Sequence, residues 1–316
     1  MTGSGMDRWT HPAVILVATD LDDLGRLMPF ALREASETGG RLILLHVLPI
    51  GIGMAVDPTA MPYYDPAGAL EFAARTLHPW CAAAREKDIA CDALVREGNP
   101  AQQIAAAVRQ FQVDRILLGT RSRGKATKLL LGSVAEQVLR SVNLPVITVG
   151  PEAHLPVGSI GHEKVVLHAT KLRETSRPSA ALACQLAAQL NAELVLLHVL
   201  PPADEMAHEG ALSDFDAAAA RELQALAAET AASGSPQIET IVLHGNPFIE
   251  ILAEAATRKA NLIVLGATHH TVFDNLTRDR TVYRVIAHAR CPVLTLREAE
   301  ASQVDPQPEQ TSVSHA

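Results

Sequence analysis

Four small residues near the middle of the chain have the spacing of a phosphate-binding loop. Two residues separate Gly119 from Ser122, and nine more separate Ser122 from the pair Gly132 and Ser133. Small residues let a backbone approach phosphates, and a helix that begins just after them offers free N–H groups and the positive end of its dipole. Positive charge surrounds the loop at Arg121, Arg123, Lys125 and Lys128. The pattern favours a phosphorylated ligand, although such charges also suit a solvated loop.

Ser133 has an alternative role. The run from Ser133 to Glu136 has the form of a capping box, in which Ser133 caps the helix that follows, with or without a ligand. Three aspartates after the first predicted strand are also ambiguous. They suit a metal ion on phosphates, but Asp22 and Asp23 equally suit a helix start, where negative charge is favoured. We favour the helix start for those two.

The sequence predicts no catalytic residue and no metal site of its own. The motifs GxxxxGK[ST], GxSxG and HExxH are absent. The adjacent His269 and His270 have no evident third ligand, and the four cysteines show no CxxC spacing. Cys81 and Cys91 are expected to be buried as small apolar residues.

An internal repeat organises the elements that position these residues. Five segments of the first half recur in the same order in the second half, with a period of about 150 residues. Most of them are short apolar runs typical of buried parallel strands, and amphipathic helical stretches separate them. We therefore predict two tandem α/β domains, each a doubly wound, five-stranded parallel sheet with helices on both faces. In such folds, ligands bind beyond the carboxyl ends of the strands.

The repeat also sets the expected domain limits. They are an N-terminal arm at 1–11, a first domain at 12–150, a linker at 151–163, a second domain at 164–297 and a disordered tail at 298–316. The formal charge of −8 argues against binding to nucleic acid or to anionic membranes. No apolar run has the length of a membrane span, and the N-terminus lacks signal-peptide order. We expect a cytoplasmic protein.

Features that both copies keep are expected to be structural. Asn99 and Asn246 each precede a proline and are predicted to cap a helix. His46 and His198 each lie in a Leu-Leu-His-Val strand and are predicted to be hydrogen-bonded within the sheet.

With these motifs the chain resembles the universal stress protein family in its tandem form. The family loop reads G-x2-G-x9-G-[ST], which Gly119, Ser122, Gly132 and Ser133 match with one departure. The opening Ala18-Thr19-Asp20 and the strand ending at Val47 add to the resemblance, which covers nearly all of residues 12–297. It implies an adenine nucleotide alpha hydrolase-like fold.

The resemblance also implies a ligand, ATP or AMP, with Mg²⁺ or Mn²⁺ often on its phosphates. The residue matching Asp20 lies near the adenosine, and the one matching Val47 contacts the base through its backbone. Those matching Gly119, Gly132 and Ser133 hold ribose and phosphates. The residues implied to line the site are Ala18, Thr19, Asp20, Val47, Leu118, Gly119, Ser122, Gly132, Ser133 and Val134.

Departures from the family pattern divide the two copies. Ser122 replaces a glycine; if positive φ is needed there, it costs roughly 1–2 kcal/mol, although its hydroxyl is able to donate to phosphates. In the second copy Lys171, His269, Asp279 and Arg280 stand opposite Asp20, Ser122, Gly132 and Ser133. Because a carboxylate repels phosphates and a side chain blocks them, we predict that the second copy binds no nucleotide.

Three functions fit the sequence. The first is a cytoplasmic stress-response regulator that holds ATP or AMP in domain 1. The second is a slow ATPase or phosphotransferase that uses the same loop, and the third is an interaction scaffold without nucleotide. The resemblance implies that the last strands of the two copies pair, giving an internal pseudo-dimer, and a homodimer of whole chains is conceivable. We favour the regulator, because the loop offers ligand contacts and no catalytic group is evident.

Overall fold

The computed structural model describes residues 3–49, 65–120, 131–154, 164–202, 209–231, 236–268 and 280–298. Ser122, the charged loop around it, His269, His270, Asp279 and the residues beyond Glu298 lie outside these ranges. All statements about structure below concern the described part of the chain.

The first half alternates strands and helices after a short N-terminal helix: α1 (Gly3–Thr10), β1 (Val14–Thr19), α2 (Leu24–Thr38), β2 (Arg41–Leu48), α3 (Pro66–Arg85), β3 (Cys91–Glu97), α4 (Pro100–Phe111), β4 (Arg115–Gly119), α5 (Ser133–Ser141) and β5 (Val146–Val149). The second half repeats this order: β6 (Lys164–Ala169), α6 (Arg177–Leu190), β7 (Ala192–Leu200), α7 (Glu209–Thr230), β8 (Ile238–His244), α8 (Pro247–Thr257), β9 (Leu262–Thr268), α9 (Arg280–His288) and β10 (Val293–Glu298). None of the described helices is long and apolar enough to cross a membrane.

The strands form one ten-stranded sheet in the order β3-β2-β1-β4-β5-β10-β9-β6-β7-β8. Strands are parallel within each half, which confirms the predicted tandem doubly wound fold. The two halves join where β5 and β10 pair antiparallel, with Thr148 opposite Val293. The Thr148 hydroxyl donates to the Val293 carbonyl at 3.1 Å, so a buried side chain adds to this pairing.

Two apolar layers sandwich the sheet because successive strand residues point to opposite faces. In β1, Ile15 and Val17 belong to the layer beneath α2 and α3, and Leu16 and Ala18 to the layer beneath α4 and α5. Both layers contain residues of both halves, so the core continues across the β5–β10 junction. The strands therefore read as continuous apolar runs, since both faces are covered.

The Asn-Pro pairs start helices as predicted. The Asn99 and Asn246 side chains each accept a backbone N–H of α4 or α8 at 3.1 Å, and a proline occupies the first helical turn. The glycine before each asparagine has positive φ, 129° at Gly98 and 141° at Gly245, a conformation that L side chains rarely adopt. These contacts fix where α4 and α8 begin.

The expected N-terminal arm contains a helix that the sequence analysis did not assign. Trp9 of α1 accepts a hydrogen bond at its carbonyl from the fully buried Arg115, which also pairs with Glu34 of α2. The Thr10 hydroxyl donates to Gln185 of α6 at 2.6 Å. The helix thus contacts both halves, and these partners lie too far along the chain for a local pattern to indicate them.

Candidate functional site

A cavity of about 660 Å³ lies at the carboxyl ends of β1, β2 and β4 and is closed by the starts of α4 and α5. β1 lies between β2 and β4, so the chain leaves the sheet toward opposite faces at this point, where doubly wound folds bind ligands. The volume falls within the roughly 300–1,000 Å³ of small-molecule sites. The cavity brings together nine of the ten expected residues: Ala18, Thr19, Asp20, Val47, Leu118, Gly119, Gly132, Ser133 and Val134.

The connection from β4 to α5 forms one wall of this cavity. The Gly132 N–H donates to the Thr120 carbonyl at 2.9 Å, which brings the start of α5 back to the end of β4. The predicted capping box is wrong, because α5 begins at Ser133 with Gly132 as N-cap and no side chain caps it. Glu136 instead accepts a hydrogen bond from Arg140 at 2.8 Å, one turn further along. The first N–H groups of α5 thus have no side-chain cap and border the cavity.

Hydrogen bonds order the turn between β1 and α2. The Asp20 carboxylate accepts the backbone N–H groups of Asp22 and Asp23 at 3.1 and 3.2 Å. The Thr19 hydroxyl accepts the N–H of Leu21, whose φ of 79° is unusual for a bulky residue. Asp23 is the N-cap residue of α2, as its predicted helix-start role requires, but its side chain makes no capping bond.

The Asp23 carboxyl instead points toward the end of β4. It accepts the Thr19 hydroxyl at 2.5 Å, and an ideal Cβ built on Gly119 would lie 2.3 Å from its Oδ2. Burial raises the pKa of Asp23 to about 6, the neighbouring Asp20 carboxylate adds to this, and the Thr19 hydrogen bond and Arg26 oppose it. The cavity wall therefore carries a carboxyl group that titrates near neutrality.

The sheet histidines are positioned by backbone, as predicted. Nδ1 of His46 lies 2.9 Å from the Thr19 carbonyl, and Nδ1 of His198 lies 2.9 Å from the Thr170 carbonyl. Because a carbonyl only accepts, Nδ1 is the donor in both rings. His46 also lines the cavity, while its counterpart keeps the same bond in the other half, so the bond itself is structural.

One wall of the cavity is apolar, and the part of it that α4 supplies was not expected from the sequence. Ala101 and Ile104, in the first turns of α4, line this wall with Val47 and Leu118, and all four belong to one layer of the core. The Asn-Pro start of α4 indicates only a cap, and no local pattern marks the alanine after it as part of a cavity wall. Comparison of the two copies gives the signal, because Phe248 occupies the same place in the second half.

Phe248 makes contacts in the second half that have no equivalent in the first. The Arg284 guanidinium carbon lies 3.8 Å from the centroid of the Phe248 ring, and the His288 ring packs edge-on at 5.3 Å. Alignment on the Asn-Pro and α5/α9 segments places Phe248 and Arg284 where Ala101 and Gln137 line the cavity of the first half. Two large side chains in contact thus occupy the positions that border a cavity in domain 1.

The two halves also differ beside the glycine of β4 and its counterpart in β9, Gly119 and Gly266. An ideal Cβ on Gly266 would lie 1.7 Å from Oε1 of Glu298, a buried residue of β10, one position beyond the expected domain limit. Glu298 accepts the Ser179 hydroxyl at 3.0 Å. Burial raises the pKa of Glu298, and its hydrogen bond with Ser179 opposes this. Within the described ranges, no group of three or more His, Cys, Asp or Glu side chains is arranged to hold a metal ion.

The chain is thus a tandem α/β protein with a ligand-sized cavity at the switch point in the first half of its sheet. The sequence profile of the universal stress protein family matches residues 13–150 and again 163–297. The chain belongs to this family, with two family domains in tandem.

Individual relatives agree with this assignment. The Thermus aquaticus protein named "Universal stress protein in QAH/OAS sulfhydrylase 3'region" is 30% identical over 138 residues, 42% of this chain and 98% of that protein. A universal stress protein of Mycolicibacterium smegmatis is 32% identical over 122 residues, 38% of this chain and 40% of its own. The crystal structure of a universal stress protein from Archaeoglobus fulgidus covers 91% of this chain and 99% of its own, with a TM-score of 0.66 at 19% identity, which shows the shared fold.

Proposed function

We propose that the first domain binds an adenine nucleotide, ATP or AMP, and that the second domain is its non-binding partner in an internal pseudo-dimer. The observation that supports this most directly is the cavity of about 660 Å³ between the uncapped start of α5 and the end of β4. The apolar wall of Val47, Ala101 and Ile104 suits a base. The N–H groups at the start of α5 suit phosphates, since they carry the positive end of the helix dipole.

Both glycines shape the wall. A side chain at Gly119 would collide with the Asp23 carboxyl, and the hydrogen bond from Gly132 places the start of α5 beside Thr120. A Mg²⁺ or Mn²⁺ ion that accompanies the phosphates would supply neutralising charge there. The acidic groups of the described wall, Asp20 and Asp23, are neighbours, and backbone and hydroxyl hydrogen bonds hold them in place.

In the proposed role the bound nucleotide is a signal and not a substrate. The Thr19 hydroxyl of the described wall is bonded to the Asp23 carboxyl, but it also accepts the Leu21 N–H and so orders the β1–α2 turn. We therefore assign the site a binding-dependent change of state and not a reaction. We extend the proposal to a regulator of the stress response in the cytoplasm. All four cysteines are buried free thiols, which agrees with a reducing compartment.

The proposal is tested by identifying what the protein carries. Freshly purified protein is heat-denatured and the released nucleotide is identified, and the affinities of ATP and AMP are then measured by calorimetry. The proposal expects one nucleotide per chain, and an empty protein with no affinity for either nucleotide would favour the interaction scaffold. Conversion of bound ATP to ADP would favour the slow enzyme.

The site is tested by Gly132→Asp, which copies Asp279 of the second half. A carboxylate beside phosphates costs several kcal/mol, so we expect affinity for ATP to fall at least about 100-fold. Gln102→Asp is the matched control, because it adds the same charge to the exposed first turn of α4, off the cavity wall. Unchanged affinity in Gly132→Asp would refute this site.

A further inference from the structure

Two cysteine thiols meet at one edge of the sheet. Cys81 lies near the end of α3, and Cys91 is the first residue of β3, the outermost strand on that side of the described sheet. Both are free, both are buried and both belong to the same core layer. Their side chains interact directly, through a hydrogen bond between the two thiols. Neither residue lines the proposed nucleotide cavity.

Backbone contacts hold these two positions together. Arg85 follows Cys81 by one helical turn on the same face of α3, and its guanidinium donates to the Cys91 carbonyl. In the short connection that follows α3, the Ile89 N–H donates to the Ala84 carbonyl at 3.1 Å. The end of the helix is thus tied to the start of the strand, so the approach of the two thiols does not depend on the sulfur atoms alone.

The two thiols differ in how readily they ionise. The hydrogen bond with Cys91 lowers the pKa of Cys81 and the Arg85 cation lowers it further, while burial and Asp92 oppose this. The same hydrogen bond, together with burial, raises the pKa of Cys91. The thiolate is the attacking form of cysteine. Cys81 is therefore the sulfur that reacts first, and Cys91 is a second thiol within its reach.

The second half packs the same corner without sulfur. Cys91 and Ile238 occupy equivalent places, each at the start of an outer strand and opposite a leucine of the neighbouring strand. Ile238 packs against the same core layer, and α7, the counterpart of α3, contains no cysteine. Filling the core at this corner therefore does not require a thiol, whereas two thiols in contact are what a cross-link requires.

We propose that Cys81 and Cys91 form a reversible disulfide when the protein meets a hydroperoxide. The Cys81 thiolate attacks the O–O bond of hydrogen peroxide and becomes a sulfenic acid, and the hydroxide that leaves takes up the thiol proton as water. Cys91 then attacks the sulfenic sulfur, the S–S bond forms, and a second water leaves with the Cys91 proton. The two thiols together lose the two electrons that the peroxide gains. A small dithiol reverses the change by thiol–disulfide exchange.

The peroxide reaches the buried sulfurs by local opening of this corner. Residues 85–88 and Ala90 are exposed beside Cys91, and an outer strand has solvent on its free side. Such an element opens at a lower free energy than the central strands. Because both thiols are buried, we expect this opening to limit the rate of oxidation. The inference is independent of the proposed function, since no nucleotide takes part.

The test treats the folded full-length chain with hydrogen peroxide, blocks the remaining thiols with N-ethylmaleimide and maps the cysteines by peptide mass spectrometry. We expect one pair of peptides joined through Cys81 and Cys91, lighter by two hydrogens than the reduced pair and restored by dithiothreitol. Cys184 and Cys291, which are also buried, should stay reduced over the same time. Oxidation of all four thiols at one rate, a cross-link that forms only in urea, or no cross-link at all would overturn the proposal.

Variants separate the roles of the two thiols. Cys91→Ser keeps the size of the side chain but not the second thiol, so it should abolish the cross-link and leave Cys81 as a sulfenic acid that dimedone labels. Cys184→Ser makes the same change at another buried thiol and should leave the yield of the cross-link unchanged. The oxidised wild type should melt at a higher temperature than the reduced protein, because the cross-link restricts the unfolded chain. A melting temperature that falls on oxidation would show that the fold does not accommodate the disulfide and would contradict the proposal.

Discussion

A buried histidine in β6 distinguishes the core of the second half from that of the first. His168 of β6 is fully buried, its Nδ1 lies 3.0 Å from the Val264 carbonyl, and its Nε2 has no hydrogen-bond partner. Val17 stands at the same place in β1. Burial lowers the pKa of His168 to about 4, and the hydrogen bond to Val264 opposes this only in part. The ring is therefore neutral in the folded protein at neutral pH.

This histidine makes stability depend on pH. The unfolded chain binds a proton at His168 below pH 6.5, whereas the folded protein does so only below about pH 4. Acidification destabilises a protein over the pH range in which its unfolded state binds more protons than its folded state. The contribution of neutral His168 to stability is therefore present above pH 6.5 and is lost on acidification toward pH 4. The loss amounts to about 3 kcal/mol, at 1.36 kcal/mol for each pKa unit.

We expect His168→Val to remove this acid sensitivity. The free energy of unfolding, measured with urea from pH 7 to pH 4, should fall by about 3 kcal/mol less in the variant than in the wild type. Asp23 acts in the opposite direction, because its raised pKa favours the folded state at low pH, but it is common to both proteins and cancels in the difference. His78→Val, at an exposed position of α3, is the control, and equal pH slopes in all three proteins would contradict the argument.

Among the elements, the first turns of α4 and α8 start alike but have different surroundings, because only that of α4 borders the described cavity. Both begin at a capping asparagine and a proline, yet α4 continues with Ala101 on a cavity wall and α8 with Phe248 against Arg284. One side chain after a shared cap thus distinguishes an open position from a filled one.

Transplanting this side chain tests the argument. We expect Ala101→Phe to lower nucleotide affinity at least about 100-fold, because a ring placed in the cavity occupies the room of the base and overpacks the wall. Gln102→Phe adds the same ring at the neighbouring exposed position and should leave affinity and melting temperature unchanged. A folded Ala101→Phe protein that binds ATP with wild-type affinity would show that the base lies elsewhere.

The elements were largely predictable because their signals are local or repeated. The repeated apolar run at 14–19 predicts a strand, and the apolar residues at helical spacing in 24–38 predict a helix. The structure places β1 and α2 over these same residues. The cap of α5 was not predictable, since Ser133 and Glu136 satisfy the motif while the hydrogen bond from Gly132 to Thr120 decides where the helix starts.

The unpredicted parts of the candidate site depend on residues distant in sequence. The positions of Asp23 and Arg26 against Gly119 join residues almost a hundred positions apart, and the helix α1 is held by Arg115 and Gln185. No spacing rule relates such residues. Ala101 became informative only beside its counterpart in the second half.

At the scale of the whole molecule, one sheet and two continuous core layers join the halves. β5 and β10 are buried along their paired residues, and Thr148 bridges them by its side chain. α1 adds contacts with Arg115 of one half and Gln185 of the other. Because these strands are internal to the sheet, separating the halves would expose two apolar edges, which are prone to aggregation.

Cutting the covalent link therefore should not separate the halves. A specific protease site placed within 155–163 and cleaved after folding is expected to leave one species of the size of the intact chain on gel filtration. The cleaved protein should unfold in a single thermal transition. For the uncut chain, the calorimetric and van't Hoff enthalpies of unfolding should also agree. Thr148→Pro removes a backbone donor and a side-chain bond from the junction, so the same cut in that variant should release the halves or cause aggregation. Release of two separate halves from the otherwise unchanged protein would contradict the continuous sheet, and with it the proposed internal pseudo-dimer.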